Sequence, residues 1–295
     1  MAELLRQGVR TAARGAGTLT APLRGGPDFI LVGAKRAGTT SLYYSLLQHP
    51  TVLPLFPSRK FPGKREDSKG TDYFDSNFDR GPLWYRSHFP TRISLDRAGR
   101  TTGGRAICGE GSTDYLFHPL APARARAALP DVKIIAMLRN PVQRTFSHFK
   151  EQRREGREPL SFEEALAAEP GRIAGEVERI VAGNGPSHSH PLANQAYATQ
   201  SHYEIGLARW LAEFPREQVL VLISEDFYAD PNAEMATVQK FLGLGEFTTP
   251  GRGVMNATRG TEMRDETAEQ LAREFAPTTS YVADLLGRSL PWPSA

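Results

Sequence analysis

Short apolar runs alternate with amphipathic stretches along most of the chain. Four of the runs predict buried strands: residues 28–32, 105–111, 132–138 and 219–224. Between them, apolar residues recur at helical spacing, and Leu207, Trp210 and Leu211 form one such stripe, which we assign to the core. Because strands alternate with helices, we predict an α/β fold, a three-layer sandwich in which helices cover both faces of a central parallel sheet.

The helical pattern recurs throughout the chain. Helices are predicted over residues 39–47, 119–130, 141–154, 161–168, 171–182, 201–214 and 232–244, with two more beyond Met263. Residues 79–89 also show helical spacing, with three predicted core contacts, Leu83, Trp84 and Phe89. Residues 54–72 are rich in proline, glycine and charge, and residues 183–195 are small and polar, so both are predicted surface loops. We expect the second loop to border a ligand cleft.

Composition narrows the class of protein. The chain has 295 residues, of which 40% are hydrophobic and 23% charged, which is enough to bury a core. We expect one folded domain over residues 28–295 after a flexible basic arm over residues 1–27. A net charge of +3 and a pI near 9.0 favour an anionic ligand over nucleic acid. A single cysteine, Cys108, excludes an internal disulfide bond, and we expect a cytoplasmic protein without a membrane span.

The segment FILVGAKRAGTTSLYYSLL has the layout of a phosphate-binding loop, an apolar strand followed by a short loop and a helix. Gly33 and Gly38 match the two glycines of the signature G-x-x-x-x-G-K-[ST], but threonine replaces its lysine and the cations come earlier. We predict that seven consecutive residues bind a phosphate group: Lys35, Arg36, Ala37, Gly38, Thr39, Thr40 and Ser41. The alternative is a glycine-containing turn whose threonines only cap the helix.

A second anion site is predicted where the strand 132–138 runs into the helix 141–154. Arg139 lies at the carboxyl end of the strand, and Ser147 follows about two helical turns along. Because ligands bind beyond the carboxyl ends of parallel strands, both side chains can reach one phosphate there. Taken singly, Arg139 could cap the strand and Ser147 could face solvent. Together with the first site, they describe a ligand with anionic groups at both ends.

Both segments resemble motifs of the sulfotransferases that use 3′-phosphoadenosine 5′-phosphosulfate (PAPS). KRAGTTSLYYSL is similar to their 5′-phosphosulfate loop, and LRNPVQRTFSHF is similar to their 3′-phosphate motif. YFDSNFDRGPLWYRSHFP and GEGSTDYLFHP are similar to segments of the carbohydrate type, the heparan-sulfate-like branch with many bacterial relatives. The resemblance continues through the closing loop and helices, and it extends in order from about Asp28 to Trp292.

The resemblance implies a metal-independent enzyme that transfers the sulfonate group of PAPS to a hydroxyl or amine of a carbohydrate or glycosylated small molecule, leaving PAP. Arg36 stands where the family has its catalytic lysine, so it is the first candidate to stabilise the leaving group, with Lys35 second. The general base is predicted to be Asp72, with Glu110 second, because Gly70 occupies the family's glutamate position.

The closing segment adds two predicted nucleotide contacts, since Arg259 and Gly260 correspond to part of the family's 3′-phosphate site. Two alternatives stay open. Arg36 and Gly70 motivate a PAP- or PAPS-binding protein with weak or no catalysis. A P-loop kinase is the other, although the missing lysine argues against it. No metal site is predicted, because the spacing of the histidines matches no standard zinc pattern.

Overall fold

A computed structural model describes residues 17–57, 69–248 and 263–292. Within them, five parallel strands form one sheet: β1 (Phe29–Gly33), β2 (Val52–Leu53), β3 (Ile107–Glu110), β4 (Lys133–Leu138) and β5 (Val219–Ile223). The α-helices are α1 (Thr39–Leu46), α2 (Gly81–Arg86), α3 (Arg92–Thr102), α4 (Ala121–Ala128), α5 (Pro141–Arg154), α6 (Phe162–Ile173), α7 (Glu176–Val181), α8 (His190–Asn194), α9 (Tyr203–Glu213), α10 (Ser224–Ala229), α11 (Pro231–Leu242), α12 (Asp265–Glu274) and α13 (Ala276–Leu286).

Strand β1 lies at the centre of the sheet, in the order β2-β3-β1-β4-β5. Its Phe29 is in register with Gly109 of β3 on one side and with Lys133 of β4 on the other. Because the carboxyl ends of parallel strands meet at one edge, these three strands direct the loop after β1, Glu110 and Arg139 to the same edge. The predicted ligand edge is therefore built from the three central strands.

Apolar side chains of β1 alternate between two buried clusters on opposite faces of the sheet. Ile30 and Val32 pack in one cluster with Trp210, whereas Phe29 and Leu31 pack in the other. All five side chains are fully buried, and each such burial stabilises the fold by roughly 1.5–3 kcal/mol. Two cores on two faces confirm the predicted three-layer α/β sandwich.

Several predicted elements differ from the structure where periodicity is weak. The prediction that Leu83 packs in the core is wrong, because α2 directs Tyr85 inward and leaves Leu83 exposed by 51%. The predicted helices 161–168 and 171–182 divide at a different place: α6 continues through Pro170 to Ile173, and α7 follows Gly175, which adopts a left-handed φ of 73°. Helices α3, α8 and α10 and strand β2 were not predicted, and α8 lies within the predicted surface loop 183–195. Helix α3 buries no residue, and β2 has only two residues.

The chain upstream of residue 28 also contacts the fold. Arg24 is buried, lies 4.0 Å from the centre of the Phe56 ring and donates to the Phe89 carbonyl. The packed region therefore begins before the predicted boundary, while a flexible arm over residues 1–16 stays a prediction outside the described residues. Across the ranges that the structure describes, no helix is long and apolar enough to cross a membrane.

Candidate active site

The loop after β1 turns its backbone toward the ligand edge. Arg36 has a φ of 75° and Gly38 a φ of 91°, both in the left-handed region. A Cβ atom at Gly38 would lie 2.8 Å from the Tyr228 hydroxyl oxygen, so a side chain there would collide as well as strain the backbone. Helix α1 begins at Thr39 without a side-chain cap, and its first N–H groups have no acceptor within the helix. This helix terminus can bind an anion.

The predicted loop residues differ in what they still offer to a ligand. Ala37 donates its N–H within the turn at 3.0 Å, so this amide already has an acceptor. The Thr39 hydroxyl oxygen accepts from Lys69 Nζ at 2.8 Å, and the Ser41 hydroxyl lies 3.1 Å from that of Tyr228. Neither Lys69 nor Tyr228 was predicted. Both add a polar group to the site of the expected phosphosulfate.

Arg36 connects the loop to helix α5. Its Nε donates to Ser147 Oγ at 3.2 Å, and its guanidinium forms an ion pair with Glu151 at 2.7 Å. Ser147 and Glu151 lie four residues apart, so they share one face of the helix. The side chain of Arg36 is therefore directed to the second predicted anion site and lies between the two sites.

The second anion site is cationic. Arg139 forms no side-chain hydrogen bond or ion pair with any of the described residues, although its carbonyl accepts from Tyr203 Oη at 2.8 Å. Lys150 lies near it, and burial followed by the charges of Arg139 and Arg36 lowers the pKa of Lys150. Arg36, Arg139 and Lys150 are neighbouring cations that repel one another. An anion such as a phosphate group that binds among them reduces this repulsion. Ser147 supplies a hydroxyl at the same place.

Lys35 occupies the opposite side of the loop. Its Nζ donates to the Ala193 carbonyl at 2.8 Å and lies 3.9 Å from Asp114 Oδ1. The Lys35 carbonyl accepts from Arg144 Nε at 3.0 Å, and Arg144 also donates to the Tyr197 carbonyl at 2.8 Å. Arg144 is fully buried, and desolvation lowers its pKa. It holds the loop against the segment before α9, and its full burial keeps it from contacting a ligand.

Glu110 is fully buried at the end of β3, where its carboxylate accepts five hydrogen bonds. The donors are the Thr71 N–H and hydroxyl and the hydroxyls of Tyr85, Ser112 and Tyr115, at 2.6–3.1 Å. Desolvation raises the pKa of Glu110, and the bonds from Ser112 and Thr71 oppose that rise. Its role as a base stays a prediction. Five donors favour a structural role, in which Glu110 fixes the segment that carries Asp72.

Asp72 faces the cleft and reaches solvent. Its φ of 49° is left-handed, and its N–H donates to Ser112 Oγ at 2.9 Å. Surrounding protein desolvates the carboxyl and raises its pKa, Asp114 raises it further, and Lys69 and Lys35 act in the opposite direction. A solvent-facing carboxylate with a raised pKa between two lysines can accept a proton from an acceptor group.

A small cavity lies beyond Asp72, between Asp75, Asp114 and the predicted loop 183–195. His188 and, in the helix α8 that forms part of this segment, Leu192 line it. Asp75 is 4% exposed, and burial, together with the charges of Asp72 and Asp114, raises its pKa to about 8. This loop therefore borders the acidic side of the cleft. In the described ranges, no group of three or more histidine, cysteine, aspartate and glutamate side chains is arranged to hold a metal ion.

Most predicted site residues lie along this one edge of the sheet. They are Lys35, Arg36, Ala37, Gly38, Thr39, Thr40, Ser41, Asp72, Glu110, Arg139 and Ser147. Arg259 and Gly260 lie outside the described residues. Residues at the site that sequence reasoning missed include Lys69, Lys150 and Glu151. The last two continue the helix face of Ser147 and could have been found by helical spacing, whereas Lys69 follows an aperiodic loop.

Comparison with known proteins identifies relatives of this arrangement. A family model described as "Sulfotransferase family" matches residues 27–248. A solved sulfotransferase from Alicyclobacillus acidocaldarius is 32% identical, with a TM-score of 0.62 over 90% of this chain and 98% of that one.

Two curated human proteins are also similar. The chain is 29% identical over 253 residues to bifunctional heparan sulfate N-deacetylase/N-sulfotransferase 2, which covers 81% of this chain and 24% of that protein. It is 30% identical over 234 residues to heparan sulfate glucosamine 3-O-sulfotransferase 6, covering 79% of this chain and 57% of that protein. The chain thus spans about a quarter of the first relative and just over half of the second.

Proposed function

Because the chain belongs to the sulfotransferase family, we propose that it transfers the sulfonate group of PAPS to a hydroxyl or amine of a carbohydrate or glycosylated small molecule. The observation that carries the proposal is the position of Arg36, which extends from the phosphate loop to Ser147 of α5 at 3.2 Å. Two anion sites that one arginine connects fit a nucleotide with anionic groups at both its 5′ and 3′ positions.

In the proposed complex, the phosphosulfate binds over the first turn of α1, at the N–H groups and hydroxyls of residues 39–41. The 3′-phosphate binds Arg139 and Ser147, and Lys150 adds a third contact. Arg259 and Gly260 are proposed to close over the nucleotide. This assignment uses the cationic end of the site for the phosphate that distinguishes PAPS from ATP.

The proposed reaction is an in-line displacement at sulfur. The acceptor atom attacks the sulfur, and negative charge develops on the oxygen that joins sulfur to the departing phosphate. Lys35 and Arg36, at the front of the loop, are the candidates from the sequence to stabilise that charge, the electrostatic contribution that is usually the largest in catalysis. Asp72 accepts the proton of the acceptor group. Glu110 is the second candidate for that role. Its carboxylate is buried and already accepts five hydrogen bonds, so it is less suited than Asp72 to accept a proton.

The acceptor class rests on the relatives. The two human proteins are named as sulfotransferases of heparan sulfate, one acting at nitrogen and one at the 3-oxygen of glucosamine. A carbohydrate or a glycosylated small molecule is therefore the acceptor class that we propose. Because the chain spans only part of those proteins, their full activities are not carried over.

A PAP-binding protein with weak or no transfer is the second candidate. The observation that favours it is Gly70, where a Cβ atom would lie 2.5 Å from Ser112 Oγ and 2.6 Å from the Gly111 carbonyl. A glutamate at this position cannot be accommodated without a shift of the backbone. A catalytic carboxylate must therefore come from a neighbour such as Asp72.

Transfer of ³⁵S from labelled PAPS tests the proposal directly. The full chain is incubated with PAPS and a panel of amino sugars, glycosides and glycosaminoglycan fragments, and with labelled ATP and magnesium in a parallel series. We expect PAP and a labelled sugar product to form in equal amounts, with no phosphorylated product. Binding of PAP without transfer to any acceptor supports the second candidate. Phosphorylation from ATP and magnesium contradicts both.

A further inference from the structure

Lys69 places a half-buried amine against the phosphate loop. Its Nζ donates to Thr39 Oγ1 at 2.8 Å, and Thr39 is the first residue of α1. The amine therefore lies at the helix terminus whose free N–H groups are expected to bind the phosphosulfate. A ligand that binds these N–H groups lies beside the Lys69 ammonium.

The backbone around Lys69 is fixed by the end of β3. The Lys69 carbonyl accepts from Gly111 N–H at 2.7 Å, and a Cβ atom at Gly111 would lie 3.6 Å from Lys69 Cδ. Two residues further on, the Thr71 N–H donates to Glu110 at 2.8 Å and to Ser112 at 3.1 Å. The aliphatic stem thus crosses Gly111, and the saturated Glu110 carboxylate anchors the segment behind it. This support positions the ammonium before any ligand binds.

The charges that face Lys69 come from four parts of the fold. Asp72 lies on its own segment, Glu110 at the end of β3, Asp114 in the loop after β3 and Glu151 on α5. Desolvation lowers the pKa of Lys69 to about 8, and these carboxylates limit the decrease. An ammonium with little hydration and no carboxylate in direct contact gains more from an anionic ligand than one already paired.

Arg36 is less well placed than Lys69 to contact an anionic ligand at the start of α1. Its guanidinium is bound by Glu151 at 2.7 Å and by Ser147 at 3.2 Å, both on α5. The observed direction of the Arg36 side chain is toward the cationic end of the site. Lys35 and Lys69 are the cations whose hydrogen bonds hold them beside the loop.

We propose that Lys69 is a catalytic residue whose ammonium contacts the phosphosulfate at the oxygen between phosphorus and sulfur. The inference rests on the proposed function. In the step, a bond forms between the acceptor oxygen or nitrogen and sulfur while the bond from sulfur to the bridging oxygen breaks. The electron pair stays on that oxygen, now part of PAP, and the Lys69 ammonium stabilises it by a hydrogen bond. The acceptor's proton passes to Asp72 and then to solvent.

The first test compares wild type, Lys69→Met, Lys69→Arg and the control Lys240→Met, which changes an exposed lysine on α11. Release of sulfate from saturating PAPS is measured with water as the acceptor, so no sugar need be identified. We expect Lys69→Met to reduce the rate by about a hundredfold, as for loss of one donor to a developing oxyanion. Lys69→Arg should restore part of the rate and, with PAPS varied below saturation, move the alkaline limb of kcat/KM upward from about pH 8.

The second test needs binding alone. Calorimetric titration of PAP at pH 8.5, in buffers of different ionisation enthalpy, measures the protons taken up. We expect wild type to take up a proton that Lys69→Met does not, because contact with the 5′-phosphate raises the lowered pKa of the lysine. Asp75 titrates in the same range, so Asp75→Asn is titrated in parallel and should keep the Lys69 difference.

The outcomes separate this inference from the proposed function. A wild type that binds no PAP and consumes no PAPS overturns the proposed function itself. A wild type that binds PAP, with Lys69→Met equal to it in proton uptake and in sulfate release, overturns only the role of Lys69. Thermal unfolding checks that each variant is folded. Since the methionine removes a desolvated charge, Lys69→Met should unfold no lower than wild type.

Discussion

The two ends of the candidate nucleotide site bind anions in different ways. At the loop end, backbone N–H groups, hydroxyls and the Lys69 amine surround the site, and the carboxylates of Asp72 and Asp114 lie beside it. At the other end, Arg139 and Lys150 are cations with a serine hydroxyl between the strand and the helix. Among the residues that the structure describes, the loop end combines an amine with carboxylates that lie free of ion pairs with it, whereas at the other end cations predominate and the Glu151 carboxylate is paired with Arg36.

Because of this difference, we assign sulfonate transfer to the loop end and ligand affinity to the cationic end. General acid–base catalysis needs a group that can exchange a proton near the working pH, and the loop end holds Lys69, whose pKa is lowered to about 8, and Asp72, whose pKa is raised. The cationic end offers fixed charges, which bind a phosphate without taking part in the chemistry. We therefore expect substitutions at the loop end to change rate and pH dependence, and substitutions at the cationic end to change affinity.

The largest expected effect is on rate, from Asp72→Asn. Removing the proposed base should reduce turnover by roughly 10²–10⁴-fold, while PAP affinity changes by no more than a few fold. Steady-state turnover of labelled PAPS and calorimetric PAP binding measure the two quantities. The exposed Asp96→Asn on α3 is the matched control and should resemble wild type. Full activity in Asp72→Asn would assign the base to another carboxylate.

The next effect is on stability, from Asp75→Asn. The pKa of Asp75 is about 8 in the folded chain against 3.8 ordinarily, so wild type loses stability as the pH rises from about 4 to about 8. Asparagine has no such loss. We expect the variant to exceed wild type by about 1–3 kcal/mol at pH 8 and by little at pH 4. Thermal unfolding at both pH values measures this, and an equal difference at both contradicts it.

The smallest effect should come from Glu151→Gln, which weakens the ion pair that occupies Arg36. Loss of a negative charge at the cationic end should raise PAP affinity by about three- to tenfold, or roughly 0.6–1.4 kcal/mol, and less at high salt. Glu155→Gln at the end of the same helix is the control. A lower affinity in Glu151→Gln would mean that Glu151 orients Arg36 for the ligand.

The sequence predicted the framework of the site because two patterns are local. Gly33 and Gly38 flank a strand-to-helix turn, and Arg139 directly follows a buried strand, so parallel topology alone brings them to one edge. The direction of each side chain depends on partners far away in the chain. Arg36 is directed to Glu151, 115 residues further on, which no spacing rule predicts.

The role of Glu110 shows the same limit. From the sequence, Glu110 at a strand end is the second candidate base after Asp72. Only the fold reveals that hydroxyls from Tyr85 and Tyr115 and the N–H of Thr71 converge on it. These donors come from separate segments, one of them in an aperiodic loop, so burial and saturation of a carboxylate cannot be read from periodicity.

The most direct test of the central claim is thermal stabilisation by PAP against ATP with magnesium, on wild type, Arg139→Ala and the exposed Arg154→Ala at the end of α5. A ligand specific for the folded state stabilises it by about 2.7 kcal/mol at a hundredfold excess over its dissociation constant. We predict a PAP-specific increase in Tm that Arg139→Ala abolishes and Arg154→Ala retains. No shift with PAP, or a larger one with ATP and magnesium, would contradict a two-ended site for a 3′-phosphorylated nucleotide.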